Sequence, residues 1–153
     1  MNNLTEEKIG QLAMSPFYVL YLVASEYVAP GKLTERHIVR AMEYGLKWHT
    51  PFSEGIFELL RSHLHEFYAE LSGDSCAGFQ ENLRAELVSV KKTLEQLSGP
   101  PEMVDDFRQS LKHLAGFVAA GGAFRKELHD PGMQARAAWV TELLDSDPCG
   151  QPC

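Results

Sequence analysis

Three residues of one segment, His63, Glu66 and Glu70, could act together as metal ligands. They are spaced three and four positions apart, and on a helix with about 100° per residue they share one face. Imidazole nitrogens and carboxylate oxygens both bind divalent metals. The face lies beside the apolar stripe of the segment, and charged residues are mostly exposed. We therefore interpret it first as a solvated, ion-paired surface and second as a metal site.

A di-metal centre in a helical bundle uses Glu-x-x-His motifs on partner helices, and the sequence contains no such motif. The dipeptide His129-Asp130 also occurs in metal-dependent hydrolases of the HD class. Here Asp130 precedes Pro131, and an Asp before a helical proline is typical of an N-cap. The cap is the preferred interpretation, and a metal-dependent helical hydrolase stays as an alternative.

The cysteines offer little further chemistry. Cys149 and Cys153 lie four positions apart near the C-terminus, but a structural zinc site needs about four ligands. Cys76 falls at a predicted helix start, which can activate a thiol, although small apolar packing is the preferred interpretation. Three cysteines do not make a disulfide framework, so a reducing, cytoplasmic location is predicted.

Charge and hydropathy restrict the partners. Lys and Arg total 14 against 21 Asp and Glu, a net charge of -7, which disfavours nucleic acid and anionic lipid surfaces. The most apolar run, Phe17 to Ala24, is shorter than the ~20 residues that span a bilayer. The N-terminus carries no basic region of a signal peptide. A protein partner or a homodimer is predicted, without nucleic acid or membrane.

Caps, prolines and glycines divide the chain into seven predicted helices. They run from about Asn3 to Met14, Ser15 to Val28, Thr34 to Trp48, Ser53 to Leu71, Ala77 to Leu97, Pro101 to Gly121 and Asp130 to Asp145. Apolar residues recur every three or four positions, whereas Phe17 to Ala24 is apolar on every side. We predict one all-α domain over residues 1–146, a compact bundle of six to seven helices around a central apolar helix. Residues 147–153 are predicted to be a flexible tail.

Two segments share the order apolar helix, glycine turn and helix with an early glutamate. The first runs from Leu22 to Glu35 and the second from Phe117 to Glu127. This order resembles the tellurite-resistance TerB-like family, whose two pseudo-symmetric halves each carry such a turn. The resemblance covers about residues 16–145. It implies two pseudo-symmetric halves, a stress-response role and a divalent metal.

The acidic turn positions of that family differ here. The Asp that precedes Gly in the family is replaced by Pro30 and Gly121, which leaves Glu35 and Glu127 as the acidic residues at the turns. Hard cations bind about six or more oxygens. One carboxylate per turn therefore predicts at most a weak metal site.

Three functions follow as predictions. The first is a non-enzymatic helical module that acts through protein contacts, in a stress response, with no catalytic residue and no cofactor. Aromatic residues near helix ends would either anchor its partner or complete the core; they are Tyr44, Trp48, Phe52 and Trp139. The second is a TerB-like protein that binds a metal or small ligand through the glutamates and histidine above. The third is the helical hydrolase.

Overall fold

The computed structural model describes residues 5–24, 35–72, 79–97, 99–121 and 132–146. Within these ranges the chain is all-α, as predicted, and forms a compact bundle. The helices are α1 (Glu6–Ala24), α2 (Glu35–Gly45), α3 (Pro51–Ser62), α4 (Leu64–Ser72), α5 (Phe79–Glu95), α6 (Pro101–Ala119) and α7 (Gly132–Asp145). None of the helices in the described ranges is both long enough and apolar enough to cross a bilayer.

Helix α1 lies at the centre of the bundle. Every residue from Leu12 to Ala24 is buried, and α1 packs against α2, α3, α5, α6 and α7. A helix that is apolar all around is stable in water only when neighbours cover each side. This arrangement confirms the predicted central helix.

The prediction of separate helices on either side of Ser15 was wrong, because α1 continues through Pro16. Proline has no backbone N–H, so it cannot donate to the carbonyl four residues earlier, that of Leu12. The hydroxyl of Ser15 donates to this Leu12 carbonyl instead, at 2.6 Å. Ser15 therefore repairs the helix rather than capping a new one.

The single helix predicted from Ser53 to Leu71 was also wrong, since it is interrupted at His63 between α3 and α4. The side chains of Ser62 and His63 bind carbonyls of the preceding turn, those of Glu58 and Leu59. Such side-chain bonds compete with continuation of the helix. The backbone N–H of His63 points back to the same turn and closes α3.

Helix α3 begins two residues earlier than predicted. Thr50, not Ser53, is the N-cap, and its hydroxyl accepts from the Ser53 N–H at 3.3 Å. Pro51 follows at the first helical position, where its missing N–H costs no hydrogen bond. The start of α6 at Pro101 and the end of α7 at Asp145 agree with the predictions.

Helix α2 ends at Gly45 rather than near Trp48. The Gly45 carbonyl accepts a hydrogen bond from His113 Nδ1 on α6, at 2.7 Å. A Cβ atom at Gly45 would lie 2.6 Å from the Cδ1 atom of Leu114. Glycine at this position allows α2 to approach α6 closely.

Asp106 of α6 fixes the connection between α2 and α3. Its carboxylate accepts hydrogen bonds from the backbone N–H of His49 (2.9 Å) and of Thr50 (3.1 Å), and from the Thr50 hydroxyl (2.9 Å). Burial acts to raise the pKa of Asp106, but these bonds and one from the Ser53 side chain outweigh it. The pKa therefore lies below its usual value.

Asp106→Asn is expected to lower the free energy of unfolding at neutral pH by about 1 kcal/mol, because an amide NH₂ would face N–H donors. The folded-state pKa lies below the ordinary value of 3.8. The carboxylate therefore stabilises the fold above that pH, and the effect is lost as pH falls through the lowered pKa. Urea titrations of the parent and of Asp106→Asn at pH 7 and at lower pH measure this difference in the free energy of unfolding. Asp105→Asn, the same change at the exposed neighbouring position, should have little effect, and an equal loss there would contradict this role.

An aromatic cluster joins α3 to α6. The Phe107 ring stacks on Phe57 with centroids 5.2 Å apart and packs edge-on against Phe52 at 5.8 Å. Trp48 also packs on Phe57, with ring centroids 5.2 Å apart. Phe107 is fully buried, so this cluster forms one end of the core.

Basic side chains of α6 hold the C-terminal end of α7. Arg108 donates to the Leu144 carbonyl at 3.3 Å, and Lys112 pairs with Asp145 at 2.7 Å. Free carbonyls give a helix C-terminus partial negative charge, so cations stabilise it.

Helix α5 adds a buried lysine to the same end of α7. The side chain of Lys91 is 2% exposed; its Nζ atom lies 2.7 Å from Ser146 Oγ and 3.2 Å from Glu95 Oε2. A buried ammonium persists only with such partners. The Lys91 ammonium therefore ties α5 to α7 through its contact with Ser146, and it pairs with Glu95 of its own helix.

Candidate functional site

A cleft of about 600 Å³ lies between the N-terminal half of α1, α4 and α5, and is partly open to solvent. Its volume falls within the range of ligand-binding clefts, about 300–1,000 Å³. The lining residues are Thr5, Glu7, Lys8, Gly10, Gln11, Met14, Tyr18, Phe67, Glu70, Glu86, Ser89 and Thr93.

The floor of the cleft is buried and largely apolar. Met14 and Tyr18 of α1 are each 8% exposed, and Thr93 of α5 is 4% exposed. Phe67 of α4 forms a wall, and its ring packs edge-on against Phe17 at 6.0 Å. These contacts fix the floor before any ligand arrives, so the cleft is preorganised for an apolar group.

The charges around this floor are mostly negative. Glu7, Glu70 and Glu86 contribute three carboxylates, and Lys8 is the one cation among the lining residues. The Lys8 ammonium donates to Gln96 Oε1 at 3.3 Å, at the edge of the cleft. The carboxylates therefore give the cleft a negative potential.

Tyr18 connects the apolar floor to the carboxylates. Burial raises the pKa of Tyr18 far above its usual value, and the charge of Glu86, its hydrogen bond with the Tyr18 hydroxyl and the charge of Glu70 raise it further. The hydroxyl thus stays protonated at physiological pH and donates to Glu86. It acts as a fixed polar group and not as a base.

The structure does not gather the residues of the predicted metal face. His63 Nδ1 donates to the Leu59 carbonyl at 3.1 Å, and its ring stacks on Phe67 at 5.9 Å. Glu66 and Glu70 are both exposed, and Glu70 lines the cleft. The break at His63 removes the continuous helix on which the shared face was based.

The acidic residue of the first predicted turn binds a histidine outside the predicted metal face. Glu35 pairs with His65, with Oε1 and Nδ1 2.9 Å apart, and both side chains are exposed. The hydrogen bond and charge of Glu35 raise the pKa of His65. Among the described residues, no group of three or more His, Cys, Asp and Glu is placed to hold a metal ion. Outside the described ranges lie Cys76, Glu127, His129, Asp130, Cys149 and Cys153.

The four aromatic residues predicted as anchors divide between core and surface. Phe52 is buried, and Trp48 packs on the core with Arg61 over its ring at 5.0 Å. Trp139 is covered by Arg84 at 4.6 Å. Tyr44 is 55% exposed. Only Tyr44 of the four presents most of its surface to solvent.

The sequence predicts Glu70 as a site residue but gives no indication of Tyr18 or Glu86. Tyr18 belongs to the uniformly apolar stretch of α1, and Glu86 sits beside the apolar stripe of α5 like any solvated charge. Neither has a sequence signal that distinguishes it. Their role depends on the placement of α4 and α5 against α1.

Comparison with known proteins gives no relative from which a function could be transferred. No protein-family model, no curated protein and no solved structure matches this chain. The TerB-like resemblance stays a prediction, and the arrangement of the cleft is the basis for a functional proposal.

Proposed function

We propose that this chain is a non-enzymatic binding module whose α1–α4–α5 cleft docks a positively charged segment of a partner protein. The observation that carries the proposal is the combination of an apolar floor with three carboxylates and a single lysine turned toward Gln96. Apolar contact supplies affinity, and opposite charge supplies orientation and selectivity.

The shape of the cleft favours part of a larger molecule. Small-molecule sites bury about 70–90% of their ligand, whereas this cleft is partly open. A side chain that projects from a partner can fill it while the rest of the partner stays outside. The net charge of -7 would also accelerate encounter with a basic partner.

The polar groups of the floor support binding rather than catalysis. Because its pKa is raised, the Tyr18 hydroxyl remains protonated, and it is already bonded to Glu86. Glu70 and Glu86 approach the floor from two different helices. These oxygens are hydrogen-bond acceptors, which is what holding a cation requires.

Filling the cleft without disturbing the fold tests the proposal. Gly10 lines the cleft, and a Cβ atom there would meet nothing within 4 Å. Gly10→Tyr therefore places a ring in the cleft. Gly55→Tyr, at an exposed position of α3 where a Cβ atom also meets nothing within 4 Å, is the matched control. The probes are peptides that are selected from a displayed random library for binding to the parent protein.

We expect selected peptides to bind the parent and Gly55→Tyr alike and to bind Gly10→Tyr at least about tenfold more weakly, a loss of about 1.4 kcal/mol. Fluorescence anisotropy measures the dissociation constants. Peptides that bind Gly10→Tyr undiminished, or a library that yields no binder, would contradict the proposal.

A further inference from the structure

We propose that the group bound in the cleft is a lysine side chain of the partner protein, with its ammonium held by Tyr18, Glu70 and Glu86. This inference rests on the proposed function and specifies the chemistry of the docked segment.

The three acceptors line the cleft from three helices. Tyr18 belongs to α1, Glu70 to α4 and Glu86 to α5. The Tyr18 hydroxyl is the donor in its hydrogen bond to Glu86, and its oxygen keeps lone pairs that can accept another hydrogen bond. An ammonium has three N–H donors and no acceptor, so it can bond to acceptors that come from different helices.

This set suits an ammonium better than a guanidinium. Arginine binds a carboxylate best as a fork, with two parallel N–H bonds to both oxygens. The Tyr18 hydroxyl already occupies part of the Glu86 carboxylate. Glu70 lies on a separate helix, so the two carboxylates do not present the planar edge that the fork requires.

The apolar floor fits the stem of a lysine. Met14 and the ring of Phe67 line the cleft together with the Tyr18 ring. A four-carbon stem can lie on these surfaces while its charged end reaches the carboxylates. The two aromatic rings add a cation–π attraction that strengthens when water is excluded.

The carboxylates are not neutralised within the described part of the chain. The ion pairs found there are Arg61–Glu58, His65–Glu35, Lys91–Glu95 and Lys112–Asp145, and none includes Glu70 or Glu86. Both act on Tyr18 electrostatically, so both lie near the same hydroxyl. A bound cation would be attracted by both of these negative charges.

Three small probes distinguish the contribution of the ammonium charge to binding from that of the aliphatic stem. They are the N-acetyl N′-methylamides of lysine, arginine and norleucine, the last of which keeps the stem without the charge. Titrations followed by ¹H–¹⁵N correlation spectra report where each binds. We expect the lysine probe to shift amides near Met14, Tyr18 and Glu86, with a dissociation constant of about 1 mM.

The norleucine probe should bind at least about tenfold more weakly, since it lacks the charged donors. The arginine probe should bind several-fold more weakly than the lysine probe. Glu86→Gln should weaken the lysine probe about tenfold while still accepting from Tyr18. Glu142→Gln makes the same charge change at an exposed position of α7 outside the cleft and should leave binding unchanged.

Equal affinity for the lysine and norleucine probes would overturn the inference, and so would unchanged binding to Glu86→Gln. Its failure is distinguishable from failure of the proposed function. If the selected peptides need an open cleft but still bind after their lysine is replaced by norleucine, only the inference that lysine is the bound group would be refuted. If the lysine probe binds in the cleft but no selected peptide needs the cleft, the proposal of a partner protein would be refuted while the lysine site would stand.

Discussion

Replacement of Phe107 by alanine is expected to lower the free energy of unfolding by about 4 kcal/mol. The side chain is fully buried, and its ring stacks on Phe57 and packs against Phe52. Removal of the ring forfeits apolar burial and these ring contacts. It also leaves a cavity between α3 and α6 that fixed neighbours cannot fill completely.

Equilibrium unfolding in urea at neutral pH measures this loss. Phe107→Leu should cost roughly 1–2 kcal/mol, because it retains much of the apolar volume. Tyr44→Ala removes an aromatic ring that is 55% exposed and serves as the control, with an expected loss below about 1 kcal/mol. Similar losses for Phe107→Ala and Tyr44→Ala would show that the aromatic cluster is not part of the cooperative core.

The second large effect concerns the buried pair of α5. Glu95→Ala is expected to destabilise the protein by about 3 kcal/mol, because it leaves the Lys91 ammonium in the interior without its carboxylate. The side chain of Lys91 is 2% exposed, whereas that of Glu95 is 20% exposed. The ammonium therefore has far less access to water than the carboxylate has.

Lys91→Met should cost less, about 1 kcal/mol, since methionine preserves the apolar volume and the partly exposed Glu95 can hydrate. Urea unfolding of both variants gives the comparison. Glu58→Ala breaks the exposed Arg61–Glu58 pair and should change stability by less than about 1 kcal/mol. If Lys91→Met lowered the free energy of unfolding more than Glu95→Ala does, the carboxylate, and not the ammonium, would be the charge that depends more on its partner.

Much of the fold could be predicted because apolar spacing reflects burial directly. The uniformly apolar run from Phe17 to Ala24 required neighbours on every side, and α1 has them. Prolines and serines were less informative. The rule that proline starts a helix failed at Pro16, since one hydroxyl bond to Leu12 offsets the lost backbone bond. The break at His63 has no glycine or proline to indicate it.

Less of the candidate site could be predicted. The spacing along the predicted helix makes Glu70 a member of a metal-binding face, but the structure places it in one cleft with Glu86 and Tyr18. Helical spacing relates residues on one helix, and this cleft is assembled from three. The relation between Glu70 and Glu86 depends on how α4 and α5 dock on α1, and no local pattern encodes that docking.

The central helix precedes in sequence the helices that pack on it, and this order has a consequence for biosynthesis. Helix α1 leaves the ribosome before every helix that covers it, and its last covering partner, α7, ends at Asp145. The contacts that bury Phe17 to Ala24 are therefore mostly between distant parts of the chain, which slows folding. Until α5, α6 and α7 have emerged, the nascent chain exposes its most apolar segment, so chaperone capture and aggregation compete with folding at this stage.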